Sequence, residues 1–128
     1  EGYQTVIESV YNDGRTFIDA EREILGYDHA EVGAIVVKKW NLAPAQETAV
    51  RYHHDPEKAD VEPQLCATVS LANSLCVKIG IGPEKIPDID LVSIFPTRFL
   101  ELDAERLERI EETTQEQLAA EREMFGRP

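Results

Sequence analysis

YDHAEVGAIVVKKW, residues 27–40, is the stretch that decides the fold, because it predicts a helix with a defined start. Asp28 followed by Glu31 forms a capping box, in which each side chain accepts a hydrogen bond from the other residue's backbone N–H. The apolar residues that follow continue at helical spacing. We therefore predict a helix from about His29 to Trp40.

Apolar residues at spacings of three and four predict further helices on both sides of this one. They are two short helices around residues 3–11 and 17–25, one that Pro44 opens and Asp55-Pro56 stops, a core helix from Pro63 to about Ile79, a short helix near Ile89 to Phe95, and an acidic last helix over about 103–125. A polar loop is predicted at residues 57–62, and residues 81–100 are otherwise irregular because of Pro83, Pro87 and Pro96. No segment shows strand alternation, so the predicted fold class is all-α: a compact helical bundle in one domain over residues 1–128.

Composition restricts the class of partner. The formal charge of -12, from 25 acidic and 13 basic residues, repels phosphate backbones and anionic lipid surfaces, so we expect neither nucleic acid nor membrane as a partner. Cys66 and Cys76 lie too far apart on one predicted helix to form a disulfide, which favours the reducing cytoplasm. Because the chain begins at Glu1 rather than at a methionine, we expect a piece of a longer protein.

All three histidines fall at predicted helix ends, His29 at the start of one helix and His53 with His54 at the end of the next. If the two helices are antiparallel neighbours, both groups share one end of the bundle, where imidazoles suit a zinc, iron, nickel or copper ion. Adjacent histidines on a helix point about 100° apart, which argues against both binding one ion. They could serve two ions, or one could bind while the other donates a hydrogen bond.

Two further positions bear on the same region. Gly33, one turn inside its helix, costs ~1 kcal/mol relative to alanine, which indicates close approach of a neighbouring backbone. Asn73 is a polar residue on the core helix and is placed to reach the histidines.

Four stretches together resemble the C-terminal half of an HDOD domain: EILGYDHAEVGA at 23–34, KWNL at 39–42, AVRYHHDP at 49–56 and VSLAN at 69–73. The resemblance is best over about residues 17–82. HDOD domains are signalling output modules of the HD superfamily, which also contains metal-dependent phosphohydrolases and the HD-GYP cyclic di-GMP phosphodiesterases.

The resemblance implies that His29, His53 and His54 stand at metal-ligand positions, with Asn73 where an aspartate usually lies. A neutral amide oxygen binds a divalent cation more weakly than a carboxylate does. The His-Asp doublet that names the superfamily belongs upstream of residue 1, and no Gly-Tyr-Pro follows residues 53–54. The resemblance therefore implies a degenerate metal site.

Three functions stay open. The favoured one is a non-catalytic regulatory output domain of a bacterial signal transduction protein, acting through protein contacts, with no enzymatic activity and no cofactor. The alternative is a metal-dependent phosphohydrolase using iron, manganese or zinc, whose remaining ligands lie upstream. The third is a helical interaction domain in which the histidines do nothing beyond packing and solvation.

The expected partners are other proteins or other domains of a longer signalling protein. Residues 1–82 would expose apolar helix faces that upstream helices normally meet, so a homo-oligomer that covers them is also expected. The charged last helix is expected to depend on packing against another domain or another copy of the chain.

Overall fold

The computed structural model describes residues 2–82 and 84–126, and these contain seven α-helices and no strand. The helices are α1 Gly2–Asp13, α2 Phe17–Leu25, α3 His29–Lys39, α4 Pro44–Tyr52, α5 Pro63–Lys78, α6 Phe95–Phe99 and α7 Ala104–Phe125. The predicted all-α class is confirmed. Among the described helices, none has the combination of length and apolar character that a bilayer span requires. Glu1 and Pro83, which entered the sequence predictions, lie outside the described residues.

The start of α3 is the capping box predicted from the sequence. The Asp28 carboxylate accepts the backbone N–H of Glu31 at 2.9 Å, and the Glu31 carboxylate accepts that of Asp28 at 3.4 Å. Helical residues run from His29 to Lys39, and Trp40 is the C-terminal cap. Asp28 is buried, so this cap also fixes the start of α3 against the neighbouring helices.

Helices α3 and α4 form an antiparallel pair joined by a short turn. A Cβ atom on Gly33 would lie only 2.7 Å from Cγ1 of Val50 on α4. Gly33 therefore has the predicted packing role, although the atom that approaches it belongs to a side chain rather than to the backbone. The close packing brings the start of α3 beside the end of α4.

Two apolar clusters hold the helices together. The larger one consists of Leu71 and Leu75 of α5 with Leu91 and Leu107, which links α5 to the segment before α6 and to the first turn of α7. The smaller one joins α1 to α2 through residues Val6, Val10 and Ala20. Helix α5 lies between the α3–α4 pair and the C-terminal segments, and it contacts both α4 and α6.

The boundaries of α5 follow the predicted signals within one residue. The helix begins at Pro63 and ends at Lys78, and Ile79 is its cap rather than its last residue. Gly80 follows with φ of 76°, a left-handed conformation that glycine adopts without strain. The polar loop predicted at 57–62 is only partly irregular, because Pro56–Lys58 forms one turn of 3-10 helix.

The short helix predicted near Ile89 to Phe95 is wrong in position. The helix there is α6, Phe95–Phe99, with Ile94 in an extended conformation as its cap. Pro96 lies in the first turn, where a missing backbone N–H costs no intrahelical hydrogen bond. Pro96 thus lies at the start of the observed helix, whereas the predicted helix stops just before Pro96.

Helix α7 is anchored at its N-terminal end alone. The Asp103 carboxylate caps it by accepting the backbone N–H of Arg106 at 2.8 Å, and Leu107 is its one buried residue. Lys78 of α5 forms an ion pair with Glu111 at 2.6 Å. Beyond Glu111 no described residue of the helix is buried, so most of α7 extends from the body of the domain.

Candidate functional site

The structure brings His29, His53 and His54 together at one end of the α3–α4 pair. One ring nitrogen from each lies within 4.8 Å of the others, so all three can face a common point. The ring centroid of His29 lies 5.4 Å from that of His53 and 4.9 Å from that of His54. We call these three residues the histidine cluster.

The expectation that the two adjacent histidines diverge is wrong. Helix α4 ends at Tyr52, His53 is its cap, and His54 lies in the bend that follows. The 100° spacing of consecutive helical residues therefore does not govern this pair. Their ring centroids are 4.1 Å apart, and both rings turn towards His29.

Glu21 of α2 holds the ring of His29 in place. Its side chain is 2% exposed, and one carboxylate oxygen lies 2.9 Å from the backbone nitrogen of His29 and 2.6 Å from Nδ1. An ionised carboxylate only accepts hydrogen bonds, so Nδ1 carries a proton. In the neutral ring, Nε2 then presents its lone pair to the cluster.

Sequence reasoning missed Glu21. A signal was present, because Glu21 follows Phe17 by four residues and precedes Leu25 by four, which places a carboxylate within the apolar stripe of α2. A charge at such a position requires a buried partner, and His29 supplies one.

His53 is oriented in a similar way by a different acceptor. Its Nδ1 lies 2.7 Å from the backbone carbonyl oxygen of Val50, so Nδ1 donates and Nε2 is free. His54 completes the cluster through Nε2, which lies 2.9 Å from Nε2 of His29. When the His29 ring is neutral its Nε2 accepts, and His54 is then the donor in this contact.

Both histidines that follow α4 are uncharged at neutral pH. Burial, together with the neighbouring His53 and His29, lowers the pKa of His54 to about 4. Burial also lowers the pKa of His53. The neutral imidazole is the form that binds a metal ion.

The two aspartates nearest to the cluster in the chain are engaged by Arg22. Its guanidinium contacts Asp28 at 2.8 Å and Asp55 at 2.6 Å. Burial alone would raise the pKa of Asp28, but the hydrogen bonds from Glu31 and Arg22 outweigh it and hold that pKa below the usual value. The carboxylates that could have completed a ligand set are thus bound to a cation.

A cavity of about 380 Å³ opens beside the cluster, and the structure places Asn73 on its wall together with His29 and His54. The rest of the wall is formed by Tyr3, Phe17, Glu21, Cys76, Val77, Ile81, Gly82 and Glu84. The Glu84 carboxylate accepts the backbone N–H of Phe17, which ties this wall to the start of α2. The second thiol, Cys66, is fully buried instead, and burial raises its pKa.

The donor set fits a single transition-metal ion better than a binuclear centre. Three imidazoles are a known ligand set for zinc, and acceptors on Nδ1 of His29 and His53 orient two of them as ligands usually are. His54 would have to give up its hydrogen bond to His29 to take part. A binuclear centre also requires a bridging carboxylate, and the described ligand group contains histidines alone.

These features define a class of protein: an all-α domain with a histidine cluster at the end of an antiparallel helix pair. Residues 1–56 match the family described as the HDOD domain. That range includes all three histidines and Glu21, so the resemblance to HDOD domains inferred from the sequence motifs is confirmed there, whereas its placement in the C-terminal half of such a domain stays a prediction.

Comparison with solved structures finds an HDOD domain protein with a similar fold. The fold is similar to the crystal structure of an HDOD domain protein with unknown function from Geobacter sulfurreducens, with a TM-score of 0.79 and 26% sequence identity. The similarity covers 95% of this chain and 46% of that one, so the chain spans about half the length of its structural relative. Among curated proteins, none matches the chain significantly. Residues 1–56 thus carry an HDOD domain sequence, and the chain has the fold of an HDOD domain protein.

Proposed function

We propose that this chain is a non-catalytic regulatory domain of a bacterial signalling protein and acts through contacts with other proteins or domains. One observation carries the proposal: each acidic group near the histidine cluster is already paired. Glu21 bonds to His29 from behind the ring, and Arg22 holds both Asp28 and Asp55.

This arrangement argues against hydrolysis for a chemical reason. Metal-assisted attack on a phosphodiester relies on an activated water and on ions that neutralise charge on the phosphate. Carboxylate ligands keep two such ions close together, whereas three neutral imidazoles leave their charges uncompensated. The cluster in this chain serves instead as a set of polar contacts between helix ends.

The test is a phosphoesterase assay on the purified chain with manganese, iron or zinc, using a chromogenic phosphodiester and a cyclic dinucleotide. We expect no turnover above that of the metal alone. Turnover that His53→Ala abolishes would overturn the proposal. Arg51→Ala is the matched control, because Arg51 lies on α4 but its ion pair is with Glu47.

A second candidate is a metal-dependent phosphohydrolase whose remaining ligands lie upstream of residue 1. The orientation of the histidines favours it, since Nε2 of His29 and His53 are free to bind a metal once His54 turns away. The codons that precede Glu1 test it directly, because this function requires a His-Asp doublet there. Elemental analysis gives a second test, as this candidate requires stoichiometric iron, manganese or zinc.

A further inference from the structure

The outer face of α3 is apolar and has no partner within the described residues. Ala30 and Ala34, on its inner side, are buried, and α3 contacts α4. On the opposite side, Ile35 is 62% exposed, and the exposed residues Val32, Val36 and Trp40 adjoin it. We call these four residues the α3 face. All four side chains are apolar, and Trp40 is 70% exposed.

Helix α7 presents a second apolar surface with no packing partner among residues 2–82 and 84–126. Leu107 is buried at its base, and an apolar stripe continues from there along one side through Ile110, Leu118 and Phe125. Successive spacings of three, eight and seven residues place these side chains on one face of the helix. An isolated helix this rich in glutamate gains little stability on its own, so the stripe requires a surface to pack against.

Charge and length match the two surfaces to each other. Helix α7 carries seven glutamates and three arginines, whereas α3 carries one glutamate and two lysines, Lys38 and Lys39, both in its last turn. The α3 face runs from residue 32 to residue 40, and the central part of the α7 stripe from 110 to 118. Each therefore extends about 12 Å along its helix axis.

We infer that α7 of one copy packs on the α3 face of a second copy, and that the exchange is reciprocal. Each chain supplies one α7 and one α3 face, so two copies satisfy both surfaces with twofold symmetry and leave none open. The inference deepens the proposed function, on which it rests, by making a second copy of the chain one partner of the contact surface.

Sedimentation velocity of the full chain over a range of concentrations tests the association. We expect a monomer–dimer equilibrium that shifts towards the dimer as the chain concentration rises. Trp40 is the single tryptophan, so its fluorescence emission is expected to shift to shorter wavelength on association. Ile35→Glu and Leu118→Glu should each raise the dimer dissociation constant by roughly tenfold or more, since each puts a charge into a buried contact.

Mixing the two variants identifies which surfaces meet. Copies with Ile35→Glu retain an intact α7, and copies with Leu118→Glu retain an intact α3 face, so the mixture regains one of the two contacts. We expect the mixture to associate more tightly than either variant alone. Val92→Glu is the matched control, because Val92 is exposed at a similar level but lies outside both surfaces, and it should leave the dimer unchanged.

Three outcomes would overturn the inference. They are a wild-type chain that stays monomeric at all concentrations, a Leu118→Glu variant that dimerises normally, or a mixture no tighter than its components. Circular dichroism of each variant shows whether the helices are retained, and both substituted positions lie outside the buried core. The phosphoesterase assay does not depend on association, so failure of the dimer and failure of the proposed function are distinguishable.

Discussion

The histidine cluster is ordered at the residue scale by acceptors that each fix one proton. Glu21 requires a proton on Nδ1 of His29, and the carbonyl of Val50 requires one on Nδ1 of His53. These two contacts leave His54 as the donor to His29. The cluster therefore has one consistent arrangement of protons without any ion.

This arrangement predicts the tautomer of each ring. We expect a proton on Nδ1 of His29 and of His53, and a proton on Nε2 of His54. Nitrogen-15 chemical shifts of the ring atoms at neutral pH distinguish the two forms. An Nε2–H form at His29 would contradict the role assigned to Glu21.

The lowered pKa of His54 predicts a loss of stability in mild acid. Its pKa is about 4 in the folded chain and 6.5 as the ordinary value, so the unfolded state binds the extra proton between these pH values. Stability therefore falls as pH decreases from 6.5 towards 4 and is constant above that range as far as His54 is concerned. Urea unfolding at several pH values measures this, and the dependence should be weaker in His54→Gln.

The pH range in which Asp28 and Asp55 titrate separates their effect on stability from that of His54. Both pKa values lie below the ordinary value of 3.8, so their contribution is lost only at lower pH than that of His54. The slope of unfolding free energy against pH can be compared between the wild-type chain and His54→Gln. Equal slopes between pH 6.5 and 4 would show that His54 does not titrate in this way.

At the element scale, the fold was predictable wherever the signals were local. The capping box at Asp28 and the proline at position 63 define helix starts through contacts within one turn, and both helices begin where expected. Helix α6 was misplaced because Ile94 and Pro96 are compatible with either a helix end or a helix start. In the fold, Thr97 is fully buried and its hydroxyl donates to the carbonyl oxygen of Leu91, a contact that these local signals do not predict.

The difference between local signals and contacts formed only in the fold also explains how much of the histidine cluster could be predicted. The convergence of the histidines follows from helix lengths and one antiparallel pairing, which sequence supplies. The facing rings of His53 and His54 depend on α4 ending at Tyr52, and boundaries to a single residue are not encoded locally. Glu21 was missed because a glutamate in a short amphipathic helix is usually solvated.

The contact between α3 and α4 predicts the effect of Gly33→Ala. Alanine favours helix by up to ~1 kcal/mol over glycine, but the new methyl group would meet Val50 at 2.7 Å. Since valine is stiff at χ1, we expect a net loss of about 1–3 kcal/mol in unfolding free energy. Chemical denaturation measures it.

Val50→Ala provides the control in a double-mutant cycle. Alone it should destabilise the chain, but combined with Gly33→Ala it should cost less than the sum of the two single changes. Additive effects would show that the two residues do not compete for the same space.

At the scale of the whole molecule, Arg22 connects two parts of the fold. One is the α1–α2 pair, which has its own apolar cluster, and the other is the α3–α4 pair. Arg22 extends from α2, which packs with α1, to the cap of α3 and to the segment after α4. An ion pair with a buried carboxylate contributes more than one at the surface, because the carboxylate would otherwise be desolvated without a partner.

Arg22→Gln is therefore expected to lower the unfolding free energy by about 1–3 kcal/mol. Arg15→Gln is the matched control, because Arg15 pairs with the exposed Glu23 and should cost less than about 1 kcal/mol. Thermal or urea unfolding measures both. Equal losses in the two variants would show that Arg22 does not join the two parts of the fold.

The two thiols differ in their exposure to solvent, so a thiol reagent can label one of them selectively. Cys66 is shielded from solvent and hard to ionise, whereas Cys76 lies on the wall of the cavity that adjoins the imidazoles. An alkylating dye therefore attaches at one position in the folded chain. Its emission would report whatever enters that recess, with no engineered label required.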